Sequence, residues 1–158
     1  MKRQLDDYYA KFYTKEAKRF KELVDNDYAK AKELAAWKER VAELWDSIEI
    51  VSCEKTEELA SGNFVSGKEY SITYVIDEKG LDDAVGIELV TTFTNAEGKE
   101  HIYSVDPMEV IKKEGILYTF QVIHSLSNSG SFKVAYRMFP KNVELPHRQD
   151  FCYVRWFN

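Results

Sequence analysis

The sequence predicts an α+β chain: an N-terminal helical hairpin over residues 1–46, followed by a seven-stranded immunoglobulin-like antiparallel β-sandwich over residues 47–158. Three observations predict it. Apolar residues recur every three or four positions as far as Trp45, the recurrence drops to every second position after Ser47, and turn-forming residues punctuate the remainder at fairly even intervals. A chain of 158 residues, 44% hydrophobic, has the size of one domain with a small appendage and enough apolar material for a core.

Residues 3–24 read as the first helix. Wound at about 100° per residue, Leu5, Tyr8, Tyr9, Phe12, Tyr13, Phe20 and Leu23 share one side, while Lys11, Lys15, Lys18 and Lys21 lie mostly on the other. The run Val24-Asp25-Asn26-Asp27 breaks the pattern, and Asp25 or Asn26 can cap a second helix. That helix runs to about Trp45 through Ala31, Leu34, Trp37, Val41 and Leu44. Five aromatic rings on the first helix exceed what one short partner helix covers, so they point to packing against a larger body.

The strands follow. Ile48 and Ile50 open the first, and a polar stretch from Glu54 to Lys68 separates it from the rest. The others are Tyr70–Asp77, Val85–Phe93, Glu100–Val105, Ile116–His124, Ser131–Phe139 and Asp150–Phe157. Alternation puts Tyr70, Ile72, Tyr74 and Ile76 on one face, as it does Ile87, Leu89, Thr91 and Phe93, and also Phe132, Val134, Tyr136 and Met138. The size and rhythm fit an immunoglobulin-like sandwich, without the Cys…Trp…Cys spacing of antibody domains. If Cys152, Val154 and Trp156 point into the sandwich, then Phe151, Tyr153, Arg155 and Phe157 point out, beside Lys133, Ala135, Arg137 and Phe139 of the preceding strand. An outward face mixing Phe, Tyr and Arg is the composition of a contact surface. Three covers are open: this chain's own helices, a further domain, or a flat ligand such as a sugar.

Composition excludes several classes. The net charge of −5, from 22 basic and 27 acidic side chains, argues against broad nucleic-acid or anionic-membrane binding. No apolar run approaches the roughly 20 residues of a membrane span, and the charged start does not read as a secretory signal, which places the chain in the cytoplasm. Cys53 and Cys152 make no disulfide framework and read as reduced, buried strand thiols. His101, His124 and His147 lack metal-ligand spacing. The acidic pairs Glu57-Glu58 and Asp82-Asp83 sit in turns. The Ser127–Lys133 stretch reads as a hairpin turn, since no helix follows to supply a phosphate-binding dipole. The cluster Leu145-Pro146-His147-Arg148-Gln149-Asp150 is the densest polar loop. It is open between a binding site and turn residues pairing with one another.

These residues carry a resemblance. The ending Tyr136-Arg137-Met138-Phe139-Pro140-Lys141-Asn142, then Leu145-Pro146-His147-Arg148-Gln149-Asp150-Phe151 and Val154-Arg155-Trp156, resembles the extreme C-terminus of bacterial (Bacteroides-type) α-glucan or glycogen phosphorylases. The segments around Tyr8-Tyr9, Phe12-Tyr13 and Ala35-Ala36-Trp37 resemble the stretch just upstream in those enzymes. The resemblance implies a parent enzyme that uses pyridoxal phosphate and inorganic phosphate to release glucose 1-phosphate from α-1,4-glucan. The cofactor lysine motif, the glycine-rich substrate loop and the Rossmann strands of that family are missing here. No catalytic, cofactor or metal residue is therefore carried over, and no cofactor is expected in this chain. The partner it implies is the upstream catalytic domain of the parent polypeptide.

Two readings follow: a non-catalytic structural module, or a glucan-binding module using the outward aromatic row. The residues expected to contact a partner domain or glucan are Tyr8, Tyr9, Phe12, Tyr13, Arg137, His147, Arg148, Phe151, Tyr153 and Arg155.

Overall fold

The computed structural model describes Tyr9 and residues 13–57, 65–127 and 132–158. Tyr8, Phe12, Glu58 and the turn residues Asn128, Ser129 and Gly130 lie outside the described residues. The chain divides into two compact units, Met1–Ala42 and Glu43–Asn158.

Helix α1 runs over Thr14–Leu44 and is interrupted where the sequence breaks its helical period. Asp25 is extended (φ −60°, ψ 153°), and Asn26, Asp27 and Tyr28 follow in the left-handed region with φ of 51°, 55° and 61°. Asn and Asp tolerate that region because their short side chains bond locally; Tyr28 does so only under strain. Lys32 pairs with Asp27 at 2.8 Å just beyond the break. Tyr9, Tyr13 and Phe20 are each more than half exposed. A 3-10 turn at Trp45–Ser47 leads to the strands, with Trp45 buried. No helix among the described residues is long and apolar enough to cross a membrane.

Among the described residues eight strands make two antiparallel four-stranded sheets, one more strand than the sequence predicts. They are β1 (Glu49–Lys55), β2 (Glu69–Asp77), β3 (Val85–Thr94), β4 (Glu100–Pro107), β5 (Glu109–Glu114), β6 (Leu117–Ser125), β7 (Phe132–Pro140) and β8 (Arg155–Phe157). The sheet orders are β1-β2-β6-β5 and β4-β3-β7-β8. The additional strand is β5. All six of its residues are exposed and a bulge interrupts its pairing between Val110 and Lys112, so it carries no inside/outside alternation to read.

The two sheets face each other through the sides that alternation predicts. Tyr70, Ile72, Tyr74 and Ile76 of β2 are buried against Ile87 and Leu89 of β3, Tyr118 and Phe120 of β6, and Tyr136 and Met138 of β7. Tyr74 meets Tyr136 edge-on at 4.9 Å between ring centres, joining the sheets. Burial in this apolar layer pushes both phenols well above their ordinary titration range.

The last strand corrects the expected facing. β8 covers only Arg155–Phe157, because Arg148–Asp150 forms a 3-10 turn and residues 151–154 make no ladder. Register with β7 pairs Phe157 with Tyr136 and Trp156 with Arg137. Phe157 therefore points inward, where its ring sits 5.1 Å from Tyr74 and 5.8 Å from Tyr136. Trp156 points outward and is 54% exposed, and Val154 is exposed as well. The same parity holds back through the connection, where Phe151 and Tyr153 are half-buried and Cys152 and Val154 exposed, so the expected facing is reversed along the whole segment. The cysteines are corrected too: both are exposed. Cys53 lies on the edge strand β1, six of whose seven residues are exposed, and Cys152 lies in the connection before β8.

Candidate functional site

The outer face of the β4-β3-β7-β8 sheet holds a cluster built around one carboxylate. Glu88 lies on β3 between Ile87 and Leu89, its side chain pointing away from the core, yet the residue is only 2% exposed. Its cross-strand partner on β7 is Arg137, whose Nε donates to Glu88 Oε1. From the long β7–β8 connection, Arg148 Nη1 donates to both Glu88 oxygens at 2.9 Å. Charge-assisted hydrogen bonds of this kind are the stronger class, and a buried carboxylate needs them to offset lost hydration.

Aromatic rings hold the two guanidinium groups in place. Arg148 lies 3.8 Å from the centre of the Phe139 ring, and Arg137 lies 5.5 Å from that of Trp156. The Phe139 ring also lies against Gly86, its register partner on β3; a Cβ there would stand 2.6 Å from ring atoms. Glycine is required at this point by contact rather than by backbone angle. The remaining connection is fastened along its length. Lys141 N donates to Ala84 O at 2.7 Å, His147 N reaches Asp150 Oδ2 at 3.3 Å, and the Tyr153 ring sits edge-on 5.8 Å from Trp45. Arg155 Nη2 then donates to Ile48 O at 2.8 Å.

Beneath this connection, at one end of the sandwich, is a cavity of about 640 Å³. Val85, Ile87, Met108, Phe120, Phe139 and Leu145 supply apolar wall, and Asp83, Lys141 and Arg148 supply charge. Lys141 pairs with Asp83 at 3.4 Å. A second polar group lies in the interior: His124 on β6 joins Asp106 Oδ2 of β4 at 3.0 Å and Thr91 Oγ1 of β3 at 3.3 Å, and Ser104 Oγ donates to Asp106 at 2.9 Å. The order hydroxyl, imidazole, carboxylate is that of a nucleophilic triad. Thr91 is completely buried and His124 is 3% exposed, so the hydroxyl meets no substrate. The network pins one sheet to the other.

The residues named from sequence separate into groups. Arg137 and Arg148 converge on Glu88. Phe151 and Tyr153 are half-buried, their rings tilted against each other at 4.8 Å with Tyr153 edge-on to Trp45, and they do not form an exposed row with Phe157. Arg155 is tied to the Ile48 carbonyl, and His147 is the N-cap of the 3-10 turn, its backbone N–H donating to Asp150. Tyr9 and Tyr13 are exposed, with ring centres 5.8 Å apart. Sequence reading missed Glu88 and His124. The available signal was a single acid inside the apolar run Val85–Val90, and a histidine on the inward side of Tyr118, Phe120 and Val122.

Among the described residues no group of His, Cys, Asp and Glu could hold a metal ion. Pyridoxal phosphate needs an enclosed lysine to carry it; Lys141, the lysine on the cavity wall, is half-exposed and ion-paired, and does not fit that role.

Fold and site define a two-sheet β domain whose buried charges fasten its own long β7–β8 connection. The family model of the glycogen phosphorylase C-terminal domain matches residues 45–158, and the chain belongs to that family. Comparisons with curated proteins and with solved structures return no match.

Proposed function

We propose that this chain is a non-catalytic structural module at the C-terminus of a bacterial α-glucan phosphorylase, residues 1–46 being the last helices of the catalytic body and residues 47–158 an appended immunoglobulin-like sandwich. The family match over 45–158 carries the reading. The strand order β1-β2-β6-β5 against β4-β3-β7-β8 supports the immunoglobulin-like assignment, with an eighth strand added to the seven expected. The exposed rings of Tyr9, Tyr13 and Phe20 support a partner surface on the helical segment, and that partner is the upstream catalytic domain. The parent enzyme uses pyridoxal phosphate and phosphate in the cytoplasm to release glucose 1-phosphate from α-1,4-glucan.

In this reading Arg137, Arg148, Phe151, Tyr153 and Arg155 shape and hold the tail segment, and catalysis lies elsewhere in the parent. The purified chain, given pyridoxal phosphate, phosphate and maltodextrin, is expected to release no glucose 1-phosphate above background. Reproducible turnover that disappears when pyridoxal phosphate is removed overturns the proposal. On the sandwich, glucan binding has one exposed ring among the described residues to rest on, that of Trp156. Affinity electrophoresis in glycogen tests it: unchanged mobility is expected, and retardation abolished by Trp156→Ala would establish the binding role instead.

A further inference from the structure

The β2–β3 connection places a buried carboxyl under a strained segment at the wall of the cavity. Glu78 is completely buried. Its Oε2 accepts the backbone N–H of Asp83 at 3.0 Å, and its Oε1 has no hydrogen-bond partner. Between them the chain turns sharply: Lys79, Asp82 and Asp83 have φ of 53°, 51° and 62°, in the region L-residues avoid. Two outward ion pairs hold the segment, Lys113 with Asp82 at 3.7 Å and Lys141 with Asp83 at 3.4 Å. Asp83 and Lys141 both line the 640 Å³ cavity.

We propose that residues 79–83 are a pH-operated latch on this cavity, closed while Glu78 is protonated and released when it ionises. The shortest route to water for an ionised Glu78 is to lift that segment, which also relieves its backbone strain and withdraws Asp83 from the cavity wall. The charged groups facing Glu78 are Asp83 on its own segment, Lys113 from β5 and Lys141 from the chain beyond β7. Lys79, the adjacent cation, is held elsewhere by Asp77 at 2.7 Å and Glu49 at 2.9 Å. Both lysines facing Glu78 are half-exposed and already paired, so neither neutralises it at close range.

Desolvation is the largest influence on the carboxyl and pushes it up to about 7; the Asp83 hydrogen bond and the two lysines act in the opposite direction and do not offset it. The latch is therefore poised to work around neutral pH. Because the closed state binds the proton more tightly than the open one, raising the pH weakens closure.

The experiment follows the Glu78 side-chain carboxyl by NMR in the full chain, with amide exchange of Asp83 and Tyr74 from pH 5.5 to 8.5. The expected inflection is near neutrality. Asp83 protection, corrected for the intrinsic rate, is expected to fall at least tenfold across it, through an opening insensitive to low denaturant. Glu78→Gln is expected to abolish the fall. A Glu78 inflection in the ordinary carboxylate range overturns the latch, and so does flat Asp83 protection. An opening that follows denaturant as Tyr74 does is global unfolding and overturns it equally. The wild-type measurements decide the matter should Glu78→Gln not fold.

Discussion

At the scale of single residues, Glu88 is the most consequential side chain on the outer sheet face. It is a lone acid in an apolar strand, and the two arginines that answer it come from positions 137 and 148. Its partners are less enclosed: Arg137 is 28% exposed and Arg148 57%. The cost of disruption is therefore asymmetric. Glu88→Gln leaves two guanidinium groups facing a neutral amide and is expected to cost about 3 kcal/mol, the lower range for breaking a buried pair. Arg148→Ala leaves Arg137 in place and is expected to cost only about 1 kcal/mol. Urea denaturation of the two variants checks this ordering. Equal losses would mean that Arg148 carries the cluster alone.

At the scale of elements, the strands with clean alternation were legible and those without it were not. β2 shows why: Tyr70, Ile72, Tyr74 and Ile76 alternate with Ser71, Thr73 and Val75, and all four of the larger side chains are buried while the three between them are only half-buried. β5 gives no such signal because both its faces are exposed. The helix break at Asp25–Tyr28 was legible too, since three polar residues in succession both interrupt the apolar stripe and tolerate unusual backbone angles. β8 was located but placed the wrong way round, and its orientation yields a test. Phe157→Ala removes a ring packed against both Tyr74 and Tyr136 and is expected to cost about 3 kcal/mol. Trp156→Ala removes a larger but half-exposed ring and is expected to cost about 1 kcal/mol. Thermal melting distinguishes them, and the reverse order would restore the orientation first inferred from sequence.

At the scale of the whole molecule, the carboxylates set opposing pH trends. Lys79 beside Asp77, and Thr92 and Lys133 beside Glu100, hold those two carboxyls below their usual values. Their contribution is present above the unfolded pKa and is lost as the pH falls through the folded one. Glu78 runs the other way: its folded value is raised from 4.5 to about 7. Its contribution is complete below about 4.5 and is lost as the pH rises through 7, amounting to roughly 3 kcal/mol at most. Maximum stability is thus expected on the acid side of neutrality, between about pH 4.5 and 6. Glu78→Gln is expected to flatten the decline between pH 5 and 8, which denaturation midpoints across that range will show. A wild-type profile already flat there would mean that Glu78 titrates in the folded chain as it does in the unfolded one.

The sequence by itself determined where the helical segment breaks, where most strands run, which sides of β2, β3 and β7 are buried, and the family to which the tail belongs. Each of these is written locally, in the spacing of neighbouring residues or in a short run of identities. Only the tertiary structure decided that Glu88 meets Arg137 and Arg148, that His124 meets Thr91 and Asp106, and that Phe157 rather than Trp156 enters the core. Those outcomes depend on strand register and on how an irregular connection crosses the sheet, and residues far apart in sequence carry no local trace of the partner they will meet.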